Sequence, residues 1–166
     1  HSTRNKFVAQ TLVDANFATL LLDLLTEDEE QNRKNVFDIE LLAKRLVVAA
    51  QFVHAMLPNA RLMLFGASTG AGAALVAAAN KEIRPLVAAV VSRGGRPDLA
   101  QEHLPHVACP TLLIVGGNDE EVLELNQQAA NRMRCHVEIK VVPGATHLFE
   151  EPGCLNQVGV LAREWF

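Results

Sequence analysis

Apolar side chains recur along the chain with two spacings, one typical of helices and one typical of buried strands. Between Asp38 and Pro58 they fall at the i, i+3, i+4 and i+7 positions, which predicts an amphipathic helix with one buried face. Shorter, nearly continuous apolar runs are typical of strands that are covered on both faces. Such runs predict strands at residues 17–25, 61–65, 86–92 and 111–115, and the alternating order of elements places a fifth strand at residues 138–142.

Further helices are predicted between these strands, so the two kinds of element alternate. They span residues 3–14, 69–80, 121–133 and 155–166. The polar, mostly charged stretch at residues 26–35 is expected to be a solvated loop. Alternation of strands and helices predicts an α/β fold, a three-layer sandwich with a mainly parallel sheet between two helical layers. At 166 residues the chain is expected to form a single domain.

The charge balance and the length of the apolar runs exclude several classes of function. The chain has 15 basic and 19 acidic residues and a net charge of −4, without the clustered Lys and Arg that bind nucleic acid. Its longest apolar run is about nine residues, well short of the ~20 that cross a bilayer, so no membrane partner is predicted. Its three cysteines form no CxxC pair, which favours a reducing cytoplasm over a disulfide framework.

One motif supplies a candidate nucleophile. Gly66-Ala67-Ser68-Thr69-Gly70 follows a predicted strand and precedes a predicted helix, which is the context of a G-x-S-x-G nucleophile elbow. Small residues flank the serine because a tight, strained turn brings neighbouring backbones close together. The following helix would place free N–H groups, that of Thr69 among them, beside a developing oxyanion. The alternative is a glycine-rich turn that binds phosphate or only reverses the chain.

An aspartate and a histidine follow the last two predicted strands. Asp119 comes after the strand at residues 111–115, and His147 comes after the strand at residues 138–142. The carboxyl ends of parallel strands share one edge of the sheet, so both side chains are expected near Ser68. The chain order Ser, Asp, His predicts a triad in which His147 is the base and Asp119 orients it. Taken alone, Asp119 is also explained as a helix cap and His147 as a loop residue.

The combination of the Ser68 motif with Asp119 and His147 at later strand ends resembles the α/β-hydrolase superfamily and, within it, the dienelactone-hydrolase-like branch. The resemblance covers nearly the whole chain and is carried by residues 66–70, 92–98, 113–119 and 143–149. These passages are similar to a subgroup of small bacterial hydrolases, some of them fused to phosphoribosyltransferase domains. The resemblance implies a serine hydrolase that cleaves a small carboxylic ester or lactone without a cofactor. Dienelactone hydrolases proper use a cysteine nucleophile, whereas this chain has Ser68.

Two arginines after the strand at residues 86–92 are candidates for substrate binding. Guanidinium groups at Arg93 and Arg96 would suit a substrate carboxylate or phosphate, and a role within the loop is the alternative. His103 and His106 have a spacing compatible with a metal, but no third ligand completes a site, so no metal is predicted. The expected partner is a small molecule, and self-association is left open. A catalytically silent binding or regulatory module on the same fold is the second hypothesis.

The predicted sheet leaves two strands incompletely paired. The chain opens with a helix, so the strands at residues 17–25 and 61–65 would keep unpaired backbone groups. In the family that the chain resembles, a central strand lies between them, and the loop after that strand carries the second oxyanion N–H. An amino-terminal strand and oxyanion loop are therefore expected in the intact protein, either as residues upstream of these 166 or as a segment from another chain.

Overall fold

Residues 2–166 are described by a computed structural model in which parallel strands alternate with helices. The strands are β1 (Leu62–Ala67), β2 (Val87–Arg93), β3 (Thr111–Gly116) and β4 (Val137–Val142). They form one sheet in the order β1-β2-β3-β4, and every neighbouring pair is parallel. A helix lies in each connection, as parallel pairing requires. The predicted α/β architecture is confirmed.

Helices cover both faces of the sheet. The α-helices are α1 (Thr3–Asp14), α2 (Glu27–Glu30), α3 (Arg33–Val36), α4 (Ile39–Met56), α5 (Thr69–Ala79), α6 (Glu120–Arg132) and α7 (Cys154–Trp165). A 3₁₀ helix, Pro97–His106, was not predicted and lies between β2 and β3. Helices α1 and α7 pack together on one face, and α4, α5 and α6 lie on the other. None of these helices, within residues 2–166, is both long and apolar enough to span a membrane.

Two buried apolar clusters correspond to the two faces. On one, α4 and the alanine-rich α5 pack against inward-facing side chains such as Leu64 and Val90. On the other, Val8 and Leu12 of α1 pack with α7 and with side chains such as Ile114. Helix α5 is buried from Ala71 to Ala79, which explains why it is built from small residues. The sheet is thereby enclosed, and only its edges remain accessible for chemistry.

The strand predicted at residues 17–25 is wrong, because this segment is irregular and partly exposed. Leu20 is 59% exposed and Leu22 is 44% exposed. An extended apolar run becomes a strand only where another strand pairs with its backbone, and no strand pairs with it among residues 2–166. Residues 17–22 and β1 instead line one largely apolar cavity of about 560 Å³. β1 is the edge strand on this side of the sheet.

The predicted loop at residues 26–35 is also corrected, since it contains α2 and α3. A capping box begins α2, in which the Thr26 hydroxyl accepts the Glu29 N–H and the Glu29 carboxylate accepts the Thr26 N–H. Arg45 of α4 donates to both Glu29 carboxylate oxygens at 2.6 and 2.7 Å. These bonds to Arg45, with a smaller contribution from Thr26, lower the pKa of Glu29 to about 2. Local hydrogen bonds thus form short helices where apolar periodicity is absent.

Candidate active site

The candidate nucleophile lies on a sharp turn between β1 and α5. Ser68 has φ 52° and ψ −124°, a positive-φ conformation that is strained for any residue other than glycine. Its backbone N–H donates to the Arg93 carbonyl at 3.3 Å, and its carbonyl accepts the Arg96 N–H at 3.1 Å. The segment after β2 therefore stabilises the strained conformation from both sides.

Gly66 explains part of the glycine pattern around the serine. A Cβ atom at Gly66 would lie 2.5 Å from the Gly70 carbonyl oxygen and 2.6 Å from Ala71 Cα, too close for any side chain. A Cβ atom at Gly70 would meet nothing within 4 Å. The first glycine of the motif is thus required by the close approach of β1 to α5, whereas the second is not required by packing within the described chain.

Asp119 and His147 form a hydrogen-bonded pair at the carboxyl ends of β3 and β4. The Asp119 carboxylate lies 2.7 Å from His147 Nδ1, and the two side chains are 15% and 38% exposed. Asp119 occupies the N-cap position of α6, yet its side chain makes no capping hydrogen bond. The side chain is directed to the histidine instead. Of the two explanations that the sequence left open for Asp119, a helix cap and a partner of His147, the structure favours the second.

Backbone hydrogen bonds join the two loops that carry this pair. The Gly117 N–H donates to the Val142 carbonyl and the Asn118 N–H donates to the Ala145 carbonyl, both at 2.9 Å. A Cβ atom at Gly116 would collide with the Ala145 carbonyl oxygen, so the loops approach closely only with glycine there. The spacing between Asp119 and His147 is therefore determined by backbone as well as by side-chain contact.

The Asp119 contact determines which histidine nitrogen can act as a base. An ionised carboxylate only accepts hydrogen bonds, so His147 Nδ1 must carry the proton that it donates to Asp119. In the neutral ring Nε2 is then unprotonated and available to accept a proton. The pair thus has the arrangement that general-base catalysis requires.

Ser68 lies at the same edge of the sheet as this pair but, within residues 2–166, is not hydrogen-bonded to it. Within residues 2–166 the Ser68 hydroxyl has no hydrogen-bond partner, His147 included. The two residues flank the same segment, because Ser68 bonds to the Arg93 carbonyl while a Cβ atom at Gly94 would lie 3.1 Å from the His147 carbonyl oxygen. All three candidate residues therefore occupy one edge of the sheet. The Thr69 N–H is the first of α5 and has no acceptor inside its own helix, so it is free to stabilise an anion.

The two candidate arginines differ in their surroundings. Arg96 forms a two-pronged ion pair with Asp98, at 2.9 and 2.7 Å, which favours the loop role for its side chain. Arg93 is only 7% exposed, and its Nη1 group has no partner among the described residues. Burial, with a smaller contribution from the charge of Arg4, lowers the pKa of the Arg93 guanidinium to about 10. Arg4, which the sequence did not single out, pairs with Glu150 at 3.0 Å.

The potential metal ligands among the described residues form no metal centre. No group of three or more His, Cys, Asp or Glu side chains within residues 2–166 is arranged to hold a metal ion. His103, considered above as a metal ligand, instead lies 2.8 Å from the Glu40 carboxylate. The 560 Å³ cavity beside β1 includes Ala67 in its lining but, among the described residues, not Ser68, Asp119 or His147.

Comparison with known proteins gives a consistent result over nearly the whole chain. The sequence profile described as "Dienelactone hydrolase family" matches residues 2–157. Proteins from two strains of Mycobacterium tuberculosis, named provisionally as phosphoribosyl transferases, are 60% identical over the full chain. The chain spans 38% of the length of these relatives.

Solved structures agree with the sequence matches. A dienelactone hydrolase from Anabaena variabilis superposes with a TM-score of 0.93 at 50% identity, over 100% of this chain and 79% of that one. Est1E from Butyrivibrio proteoclasticus superposes with a TM-score of 0.80 over 99% of this chain and 80% of that one. At 15% identity the second likeness shows the fold alone.

Proposed function

The chain belongs to the dienelactone hydrolase family, and we propose that it is a serine hydrolase that cleaves a small carboxylic ester or lactone. The observation that carries this proposal is the Asp119–His147 pair, 2.7 Å apart, at the same sheet edge as the strained Ser68. The name of the Mycobacterium relatives adds no second candidate, because the chain spans 38% of their length and no residue described above is tied to that name.

In the first half of the proposed reaction, the Ser68 hydroxyl oxygen attacks the substrate carbonyl carbon while its proton passes to His147 Nε2. Asp119 stabilises the imidazolium that forms, and the Thr69 N–H donates to the oxyanion. The tetrahedral intermediate then collapses, the bond to the leaving oxygen breaks, and His147 returns the proton to that oxygen. An alcohol leaves and the acyl group remains esterified to Ser68; from a lactone, the alcohol stays attached to the acyl group.

Water completes the cycle. His147, again neutral, accepts a proton from water as its oxygen attacks the acyl carbonyl, and the carboxylic acid is released with Ser68 restored. Each proton transfer requires the reacting oxygen to come within about 3 Å of His147 Nε2. No cofactor enters the cycle. The free cysteines, among them buried Cys109 and Cys154, support a reducing compartment such as the cytoplasm as the place of reaction.

Arg93 supports the further proposal that the substrate carries a carboxylate. A buried cation without a counterion is costly, and a planar carboxylate that accepts two guanidinium N–H bonds would offset that cost. Arg93 pairs in register with Ala67, directly before the nucleophile, so the bound anion would lie close to Ser68. The nearby charge of Arg4 would add to the attraction.

Two aryl esters of equal chain length test the carboxylate proposal, one ending in a carboxylate and one in a methyl group. The ratio of their kcat/KM values should favour the carboxylate in the unmodified protein and fall about 10-fold or more in Arg93→Gln, as for loss of a charged hydrogen bond. Arg96→Gln is the matched control and should keep the ratio. An unmodified protein that prefers the methyl ester would refute the proposal.

A fluorophosphonate probe tests the proposed function itself, because it reacts only with an activated serine. We expect the probe to label one site at neutral pH, and peptide mass spectrometry should locate it at Ser68. Ser68→Ala should abolish labelling and His147→Ala should slow it strongly. Absence of labelling in a folded sample would favour the silent binding or regulatory module instead.

A further inference from the structure

The segment after β2 connects the nucleophile to a helix on the other side of the site. Residues 93–96, here called the 93–96 loop, accept the Ser68 N–H through the Arg93 carbonyl and donate the Arg96 N–H to the Ser68 carbonyl. Both backbone polar groups of the nucleophile are therefore bonded to this loop. Since Ser68 has a strained φ of 52°, its position depends on where the loop is held.

Asn126 of α6 holds the 93–96 loop from the opposite side. Its side chain is fully buried, and its Nδ2 group donates to the Gly95 carbonyl at 3.0 Å. The same group donates to the Val122 carbonyl, one turn earlier in the helix, at 2.7 Å. Gly95 has no room for a side chain, because a Cβ atom there would collide with the Ser92 hydroxyl and lie 2.5 Å from Ala71 Cβ.

The same helix carries the acid of the triad. Asp119 is the N-cap of α6, and Asn126 follows it by about two turns on the same side of the helix. A rigid helix therefore joins the residue that orients His147 to the residue that holds the loop of Ser68. This is the only side-chain hydrogen bond from α6 to the 93–96 loop among the described residues.

The amide side chain of Asn126 lowers the stability of the fold at this buried position. The Asn126 side chain is 0% exposed and its Oδ1 atom has no partner in residues 2–166. A buried polar atom without a partner destabilises the fold, whereas leucine in its place would bury no polar atom at this position. Stability alone therefore does not explain why asparagine occupies this position, whereas its hydrogen bond to Gly95 does.

We propose that Asn126 is a positioning residue, which sets the location of Ser68 relative to Asp119 and His147 through its hydrogen bond to Gly95. This inference rests on the proposed hydrolase function for its catalytic consequence. Its structural consequence, control of the 93–96 loop, is independent of turnover.

Two substitutions remove the donor in different ways. Asn126→Leu removes both hydrogen bonds and the unpartnered oxygen at a similar volume, and Asn126→Ala removes the whole amide. A displacement of about 1 Å at a catalytic group can cost about 10²-fold in rate. We therefore expect kcat to fall 10- to 100-fold in both variants, with KM changed less than about threefold. Asn131→Asp, an exposed position near the end of the same helix, is the control and should leave kcat unchanged.

Hydrogen exchange followed by mass spectrometry separates this inference from the proposed function. In Asn126→Leu, the peptides containing Ser68 and Arg96 should exchange faster by about the same factor, and Asn131→Asp should show no change. Unchanged exchange in a folded Asn126→Leu would overturn the inference, whether or not the protein hydrolyses esters. Faster exchange in a protein that the fluorophosphonate probe does not label would support the role in loop placement and refute only the proposed reaction. Faster exchange with an unchanged kcat in an active protein would also overturn the inference.

Discussion

The two halves of the candidate site differ in how their polar side chains are partnered. On the β3–β4 side, Asp119 and His147 are 2.7 Å apart and their loops are joined by backbone hydrogen bonds. On the β1–β2 side, the backbone of Ser68 is held, but within residues 2–166 its hydroxyl has no partner and the buried Arg93 has no counterion. The half proposed to act as acid and base is thus joined by hydrogen bonds within residues 2–166, whereas the half proposed to contact substrate has polar groups without a partner among those residues.

The largest expected effect comes from removing one catalytic member in each half. Ser68→Ala removes the nucleophile, and Asp119→Asn leaves the shape of the other half intact but removes the negative charge that orients His147. Because the members act as one unit, each change should lower kcat/KM for an ester by roughly 10⁴-fold. Near wild-type turnover by Asp119→Asn would show that the complete half is structural only.

The close approach of β1 to α5 predicts a large effect on stability. Gly66→Ala would place a Cβ atom 2.5 Å from the Gly70 carbonyl oxygen, so the backbone must shift, at a cost of about 3 kcal/mol or more. Gly70→Ala is the matched control in the same motif. Its Cβ atom meets nothing within 4 Å, and alanine in a helix should stabilise by up to about 1 kcal/mol. Urea unfolding of both variants gives the comparison, and equal effects would contradict the predicted difference.

A smaller effect distinguishes the two arginines. Arg93→Met removes a buried cation without a counterion and should raise the free energy of unfolding by about 1 kcal/mol. Arg96→Met removes a partly exposed ion pair with Asp98 and should lower it by at most about 1 kcal/mol. Chemical denaturation at neutral pH measures both. Destabilisation by Arg93→Met equal to that by Arg96→Met would show that Arg93 is stabilised by interactions within the folded chain.

The pH dependence of the Arg93→Met effect sharpens the same test. Burial, with a smaller contribution from the charge of Arg4, lowers the folded-state pKa of Arg93 to about 10, well below its ordinary value, so the unfolded chain binds this proton more tightly. The resulting destabilisation is fully present below pH 10 and is lost as the pH rises above about 10 toward the ordinary pKa of arginine. The advantage of Arg93→Met over the unmodified protein should therefore be constant at neutral pH and shrink above pH 10. A constant difference throughout that range would contradict this cause.

The sequence predicts features whose cause lies within one segment better than features that depend on contacts between segments. Of the four predicted strands that form, β1, β2 and β3 are mainly apolar runs, as buried parallel strands are, whereas β4 contains Glu138 and Lys140 and is partly exposed. The side chains that follow the four strands share one edge of the sheet. The run at residues 17–25 satisfies the same pattern but lacks a pairing strand among the described residues, and pairing cannot be read from a single segment.

At the candidate site, too, contacts between distant segments were harder to predict than residue types and their order. The residue types and chain order predicted the contact between Asp119 and His147. The proximity of Arg4 to Arg93 joins segments far apart in sequence and follows only from the packing of α1 near the end of β2. Asn126 gave a weaker signal, a polar residue on the apolar face of a helix between Val122 and Ala129. Its bond to Gly95 becomes visible only in three dimensions.

The most direct test of the central claim is to trap the acyl-enzyme. The protein is mixed with an activated aryl ester, quenched in acid within the first turnover, and its mass and its peptides are measured. The account predicts one added acyl group, located at Ser68, absent in Ser68→Ala, and accumulating in step with a burst of the released phenol. Turnover of the ester with the acyl group on another residue, or without any covalent intermediate, would contradict it.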